Sequence, residues 1–328
     1  MEIKETVGID ISKKDFDVRV HTSKAYEKFT NDKQGFKKML KWVYKLSAFS
    51  KEDIFFIFEH TGLYSYQLAV HLTEQEIPFA MLPGLEIKRT LGMARGKNDK
   101  VDATRIAKYG YLRRGELTSY SMASKELQEL GSLFTLRQRL VRQKAGFVTS
   151  CGEIKRVKIK KDNTTEFAIN ESMIKILAKK IAKIEDRMEQ IVMGEPELKR
   201  LYKLVISIKG IGPQNAYIML ITTQAFTKFK TWRQYASYSG VAPFPYQSGT
   251  SIRGKTRVSH LANKVVKALL TSAAKSAISH DAELKIFYKK KINQGKTDAV
   301  VTNIIRCKLL ARVFAVVKRG TPFVDLQY

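Results

Sequence analysis

Only two cysteines, Cys151 and Cys307, occur in the 328 residues. That excludes both a disulfide framework and a cysteine-ligated zinc site. No apolar run reaches the roughly 18 residues that a membrane-crossing helix needs. The opening "MEIKETVGIDI" has neither the basic start nor the apolar core of a secretion signal. A cytoplasmic protein with no membrane partner is therefore expected. Negative charge is scarce in one place above all. From Leu201 to His280 there is no Asp or Glu, against 11 Lys and Arg. A solvated protein face normally mixes the two signs, whereas a long acid-free segment suits a polyphosphate backbone, where each contact releases counterions. Nucleic acid is the partner class this implies.

What is present bounds the fold. Hydrophobic residues make up 44% of the chain, enough for a sizeable core, and the balance of 59 basic to 31 acidic residues leaves a formal charge of +28. The first segment, residues 1–114, alternates strand-like and helix-like runs. "TVGIDIS", "FDVRVHT" and "YEKFTN" predict three strands in meander. "DKQGFKKMLKWVYKL" predicts a helix, "DIFFIFEH" a strand, "YSYQLAVHLTEQ" a second helix and "PFAMLP" another strand. This order predicts an α/β sheet with a parallel part.

The second segment, 115–200, is predicted to be a helical coiled-coil hairpin. Ile174, Leu177, Ile181, Ile184, Met188 and Ile191 form an a/d seam. Leu133, Leu136, Leu140 and Phe147 line a partner helix, and "KRVKIKKDNTT" forms a basic tip. Such a seam either protrudes, with a dimerising role, or packs on a core. The third segment, 201–328, is predicted to be mainly helical, with a Gly/Pro/Ser loop, "GVAPFPYQSGTSIRG", near its middle.

Four carboxylates of the first segment stand out. Asp10 lies inside the first strand run, where an unpaired charge is costly to bury. Glu59 closes the apolar run "IFFIFEH", at the strand edge where ligand sites form in α/β sheets. Asp99 and Asp102 in "KNDKVDA" are spaced i, i+3 at a helix start, on one face. Hard oxygen ligands of this kind select Mg²⁺ or Mn²⁺, and two such ions activate an attacking oxygen and stabilise a leaving one in phosphoryl transfer. Asp15 and Asp17 read as surface charges. A sugar-kinase or actin-like ATPase also opens on a strand Asp, but its turn needs small residues for phosphate. Here the turn is "ISKKDF", with no glycine.

In the third segment, "VISIKGIGPQNAYIMLI" resembles a helix–hairpin–helix element, with Lys209, Gly210 and Gly212 placed to approach a DNA phosphate. Together with "GIDISK", "FEHTG", "KNDKVDA" and "FKTWRQYASYSGVAPFPYQSG", these motifs resemble, in order and over nearly the whole chain, the insertion-sequence-110 transposases, including the Piv-type DNA invertases.

The resemblance implies an RNase H-like (RuvC-like) DEDD catalytic domain, a coiled coil and a C-terminal transposase domain. Its members use a serine nucleophile alongside the acids, here Ser248 in "YQSG". It also implies donor and target DNA, a noncoding bridge RNA as guide, and a dimer-to-tetramer assembly in which the two domains of different protomers complete one site. It places the protein in a bacterial or archaeal cytoplasm, at the nucleoid. Arg253, Lys255 and Arg257 follow the serine as DNA or RNA contacts. The family's Lys-Arg-Gly stretch before an Asn is replaced by His260-Leu261-Ala262, while Asn263 is kept. The expected function is thus a Mg²⁺-dependent DNA recombinase. The alternatives are a RuvC-like nuclease or junction resolvase that uses water, and a non-enzymatic nucleic-acid-binding protein.

Overall fold

The computed structural model describes residues 2–90, 99–157, 164–248 and 252–324. The chain divides into two compact units, residues 1–122 and 123–328.

In the first unit, three strands form the expected meander: β1 (Glu5–Ile11), β2 (Asp15–Val20) and β3 (Tyr26–Thr30). Helix α1 (Lys33–Leu46) follows, capped by Asp32, whose carboxylate accepts from the Gly35 amide at 2.8 Å. Then come β4 (Ile54–Glu59), α2 (Leu63–Glu74), β5 (Phe79–Leu82), α3 (Gly84–Thr90) and α4 (Asp99–Leu112). The sheet order is β3-β2-β1-β4-β5. β1 pairs antiparallel with β2 and parallel with β4, and β4 pairs parallel with β5.

Two-residue alternation gives this sheet two distinct faces. Val7, Ile9, Phe16, Val18, Phe56 and Phe58 pack with Phe36, Met39, Val43 and Leu68 of α1 and α2. On the other face, Phe55, Ile57 and Ala80 pack with Ile87 of α3 and with Ile106 and Tyr109 of α4. Helix α4 comes very close to the sheet. A Cβ on Gly8 would lie 2.2 Å from the Ala107 nitrogen and 2.4 Å from the Ala103 oxygen. The Thr6 hydroxyl donates to the Ala107 carbonyl at 3.0 Å, joining strand to helix.

The second unit opens on two long helices, α5 (Lys125–Val157) and α6 (Thr164–Gly194). They pack side by side, tied by Arg137–Glu185 at 2.6 Å and Arg187–Glu129 at 2.8 Å. The second pair lies earlier on α5 and later on α6, so the helices run antiparallel. Of the seam residues, Leu177, Ile181, Ile184, Met188 and Ile191 are buried. Ile184, Met188 and Ile191 join Leu127, Leu130 and Phe134 in the main core of the unit, so that end of the seam packs on a core. Most of the basic tip, residues 158–163, lies outside the described residues.

The remaining helices are α7 (Pro196–Ile206), α8 (Pro213–Thr223), α9 (Trp232–Tyr238), α10 (Lys264–His280), α11 (Ala282–Asn293) and α12 (Asp298–Arg319). The stretch around Ser248, expected as a loop, is instead a two-stranded antiparallel hairpin of β6 (Pro243–Ser248) and β7 (Ile252–Val258). Its two prolines can sit there because a two-stranded ribbon has outer edges that need no amide donor.

Candidate functional site

Register positions the acidic residues. The β1–β4 pairing runs from Glu5↔Ile54 to Ile9↔Phe58, and one further step sets Asp10 beside Glu59. Neighbouring strands lie about 4.8 Å apart, so the two carboxylates share one face at the C-terminal ends of adjacent parallel strands. Alternation from Gly8 identifies this as the α4 face. Helix α4 runs antiparallel to β1, since Ala107 meets Thr6 while Ala103 and Ala107 together meet Gly8. Two strand residues advance about 6.6 Å and four helix residues about 6 Å. The first turn of α4, with Asp99 and Asp102, therefore lies over Asp10. Asp102 is half-buried. Asp99 begins the helix, and its side chain is outside the described set.

Glu59 is held by a second close approach. A Cβ on Gly84 would fall 1.8 Å from Glu59 Oε1 and 2.1 Å from its Cδ. The missing side chain of Gly84 is the space in which the Glu59 carboxylate lies. Among the described residues, no three His, Cys, Asp or Glu side chains stand close enough to share a metal ion. With Asp99 outside that set, the described carboxylates do not by themselves make a closed metal site. Their all-oxygen donors, collected on one sheet face, still suit a hard divalent cation.

The sequence reading missed Asp17. It is not a surface charge: it is 3% exposed. It pairs directly with Asp10 across β1 and β2, on the same face. It accepts a hydrogen bond from the Tyr26 hydroxyl and lies 3.8 Å from the Lys28 ammonium. Lys100, in the first turn of α4, sits over the Tyr26 ring at 4.8 Å. A chain of contacts thus runs from Asp17 through Tyr26 to the turn carrying Asp102. The signal was present in the strand alternation, because Asp15, Asp17 and Arg19 interleave with Phe16, Val18 and Val20. Asp15, by contrast, does lie at the surface. The Ser12 hydroxyl and Lys28 hold its carboxyl below the usual range.

In the second unit, Ser248 ends β6 at the hairpin tip, opposite Ile252. Its side chain, like those of Arg253 and Lys255, is outside the described set. Arg257 is exposed and pairs with Phe244 across the strands. Asn263, at the start of the helix after the hairpin, has a clear structural task. Its Oδ1 caps α10 by accepting from the Val265 and Val266 amides at 3.1 Å, and its Nδ2 donates to the Tyr238 hydroxyl at 2.9 Å. The hairpin base is anchored as well, since Asn303 of α12 donates to the Val241 carbonyl at 2.9 Å.

Lys209 is exposed, at the turn between α7 and α8. Gly210 adopts φ +90°, and a Cβ there would meet Ala277 Cβ at 2.6 Å and the Ala273 oxygen at 2.7 Å. Its glycine character serves packing on α10. Gly212 caps α8 with open space around its Cα, so of the two glycines it is the one a ligand can approach.

Comparison with known proteins places both parts of the chain in one family. A DEDD-type IS110 model described as "Transposase" matches residues 7–151. A model described as "Transposase IS116/IS110/IS902 family" matches residues 202–289. The "Pilin gene-inverting protein" of Moraxella lacunata and that of Moraxella bovis are each 26% identical over 333 residues, covering 98% of both chains. The "Insertion element IS110 uncharacterized 43.6 kDa protein" of Streptomyces coelicolor is 28% identical over 125 residues, covering 38% of this chain and 31% of that protein. The two family models lie in order along one chain and together span well over half of it, so this protein belongs to the IS110 family of transposases.

Proposed function

We propose that the protein is a DNA recombinase that cuts and rejoins strands through a covalent serine link, with the acidic face of the first unit as its metal site. The observation that carries this reading is the register that sets Asp10 beside Glu59 beneath the first turn of α4. The sheet order, with three antiparallel strands followed by two parallel ones and helices on both faces, supports an RNase H-like, RuvC-like assignment. The "Pilin gene-inverting" relatives support action on DNA.

Asp10, Glu59, Asp99 and Asp102 would hold Mg²⁺, which when bound supplies charge stabilisation at a phosphate and makes a nearby hydroxyl more acidic. Ser248 attacks a DNA phosphodiester. One O–P bond forms at the serine oxygen and one P–O bond to the leaving strand breaks. The serine proton ends on the freed strand hydroxyl. The number of phosphodiester bonds is conserved, so rejoining needs no ATP. Serine at its free pKa is a poor nucleophile and must be activated. The acid-free run from Leu201 to His280, with Lys209, Gly212 and Arg257 at its surface, binds the DNA backbone and a structured guide RNA. Full activity requires a homo-oligomer, a dimer or tetramer.

The test is a denaturing gel of the protein with DNA, guide RNA and Mg²⁺. Wild type is expected to leave a protein–DNA adduct that Ser248→Ala abolishes and Asp10→Asn strongly reduces. An undiminished adduct from Ser248→Ala sinks the nucleophile. Free 5′-phosphate ends with no adduct from wild type would favour a metal-dependent nuclease or resolvase that uses water.

A further inference from the structure

We infer that the β6–β7 hairpin carries a stacking shelf for an unpaired DNA base, formed by Phe244 and Tyr246, with Tyr246 two strand residues from Ser248. The inference rests on the reading of Ser248 as the attacking residue.

Large aromatic side chains are usually buried, because each brings a large apolar area. Two on this small hairpin are not. Phe244 is 47% exposed and Tyr246 67% exposed. Alternation puts them on one face of β6, and position 248 is in step with them. The opposite strand completes the surface. Arg257 pairs with Phe244, and Gly254 pairs with Tyr246. A Cβ on Gly254 would meet the Tyr246 Cδ1 at 2.7 Å. The glycine thus lets the tyrosine ring lie flat across β7. A one-residue bulge between these pairs twists the ribbon at this point. Phe244, Pro245, Tyr246, Gly254 and Arg257 line a hollow of about 460 Å³, within the roughly 300–1,000 Å³ of small-ligand pockets.

Charge identifies the occupant. The hairpin lies inside the acid-free run from Leu201 to His280, so a basic or mixed-charge protein surface finds no carboxylate to pair with here, while a polyanion meets only basic side chains. An arginine beside two open aromatic faces is the combination that binds single-stranded nucleic acid: the cation takes a phosphate and the rings take bases. In an intact duplex both faces of each base are covered by its neighbours. A shelf of this kind therefore takes a base that has left the stack. A strand being cut and exchanged supplies such a base next to the phosphate under attack. Position 248 is about 6.6 Å along the strand from Tyr246, roughly two nucleotide stacking steps. The shelf fixes the strand by its bases, and the phosphate is then presented to the serine.

The test compares two short single DNA strands of equal length and charge, one with thymine bases and one abasic, binding the full-length protein at fixed salt. Wild type is expected to bind the base-bearing strand more tightly, by roughly 5- to 150-fold per stacked base. Tyr246→Ala and Phe244→Ala each reduce that ratio, Tyr246→Trp restores it, and Gly254→Ala lowers it by lifting the ring. Arg257→Gln weakens both strands alike and flattens the salt dependence by about one unit of slope. Ser248→Ala leaves the ratio unchanged, so loss of the nucleophile and loss of the shelf are read separately. A wild-type ratio near one overturns the proposal, as does an equal effect of Tyr246→Ala on both strands. Self-association that Tyr246→Ala abolishes also overturns it, by making the face a protein contact. 5-Iodouracil in the DNA beside the cut is expected to photocrosslink to Tyr246, and a crosslink obtained only from RNA overturns the DNA assignment.

Discussion

Replacing Gly8 by alanine tests the acidic face without touching a carboxylate. The added methyl would lie 2.2 Å from the Ala107 nitrogen, 2.4 Å from the Ala103 oxygen and 2.8 Å from the Ala107 Cα. All three are backbone atoms of α4, so no side chain can swing aside. Restoring ordinary contact at 3.4 Å requires helix and strand to separate by about 1.2 Å. The shift is rigid-body, because α4 is bonded internally along its length, and it carries Asp102 away from Asp10 and Glu59. Overpacking of this kind costs about 1–3 kcal/mol of stability. A displacement near 1 Å in a reacting site costs roughly 100-fold in rate. The expected variant is folded, binds DNA as wild type does through the second unit, and forms the serine adduct about 100-fold more slowly. Urea unfolding, DNA binding and single-turnover adduct formation measure the three quantities. Wild-type adduct kinetics in a folded Gly8→Ala protein would falsify the claim that the α4–β1 contact sets the site.

Three further outcomes are expected. Gly84→Ala should displace the Glu59 carboxylate, because the added methyl would fall 1.8 Å from its Oε1. Adduct formation then falls while the melting temperature changes little, and loss of both together would point to a folding role instead. Asp17→Leu leaves the Tyr26 hydroxyl without its acceptor, which costs about 1–3 kcal/mol in urea unfolding; Asp17→Asn, which can still accept, should recover most of that. Stability should also fall as pH drops below 6.5. Burial holds His71, packed on Phe36 at 5.5 Å, and His21, stacked on Tyr111 at 4.2 Å, below their usual 6.5. The unfolded chain takes up those protons first, so stability is fully present above 6.5 and declines beneath it. Thermal melts across pH should show the decline, and His71→Phe should make it shallower. An unchanged slope in that variant removes His71 from the account.

Most elements of the first unit, though not helix α3, were legible in the sequence because each carries its own periodicity. Val7, Ile9 and Ile11 alternate, Phe36, Met39 and Val43 recur at helical spacing, and "IFFIFE" is a strand buried along its length. The heptad seam of α6 and the acid-free run from Leu201 to His280 were legible for the same local reason. The sequence also picked out Asp10 and Glu59, since a charge inside or at the end of an apolar run is visible without a fold. Three things were decided only by tertiary structure. Which carboxylates meet depends on strand register, which set Asp17 opposite Asp10 and Glu59 beside it. What a glycine is for depends on its neighbour: Gly8 admits α4, Gly84 admits the Glu59 carboxylate and Gly210 admits α10. The hairpin that carries Ser248 was hidden because prolines and glycines erase the alternation that marks a strand. Local pattern is a property of a few consecutive residues. Register and close approach join residues outside any local window, up to about a hundred positions apart for Gly8 and Ala107, and only the folded chain brings those together.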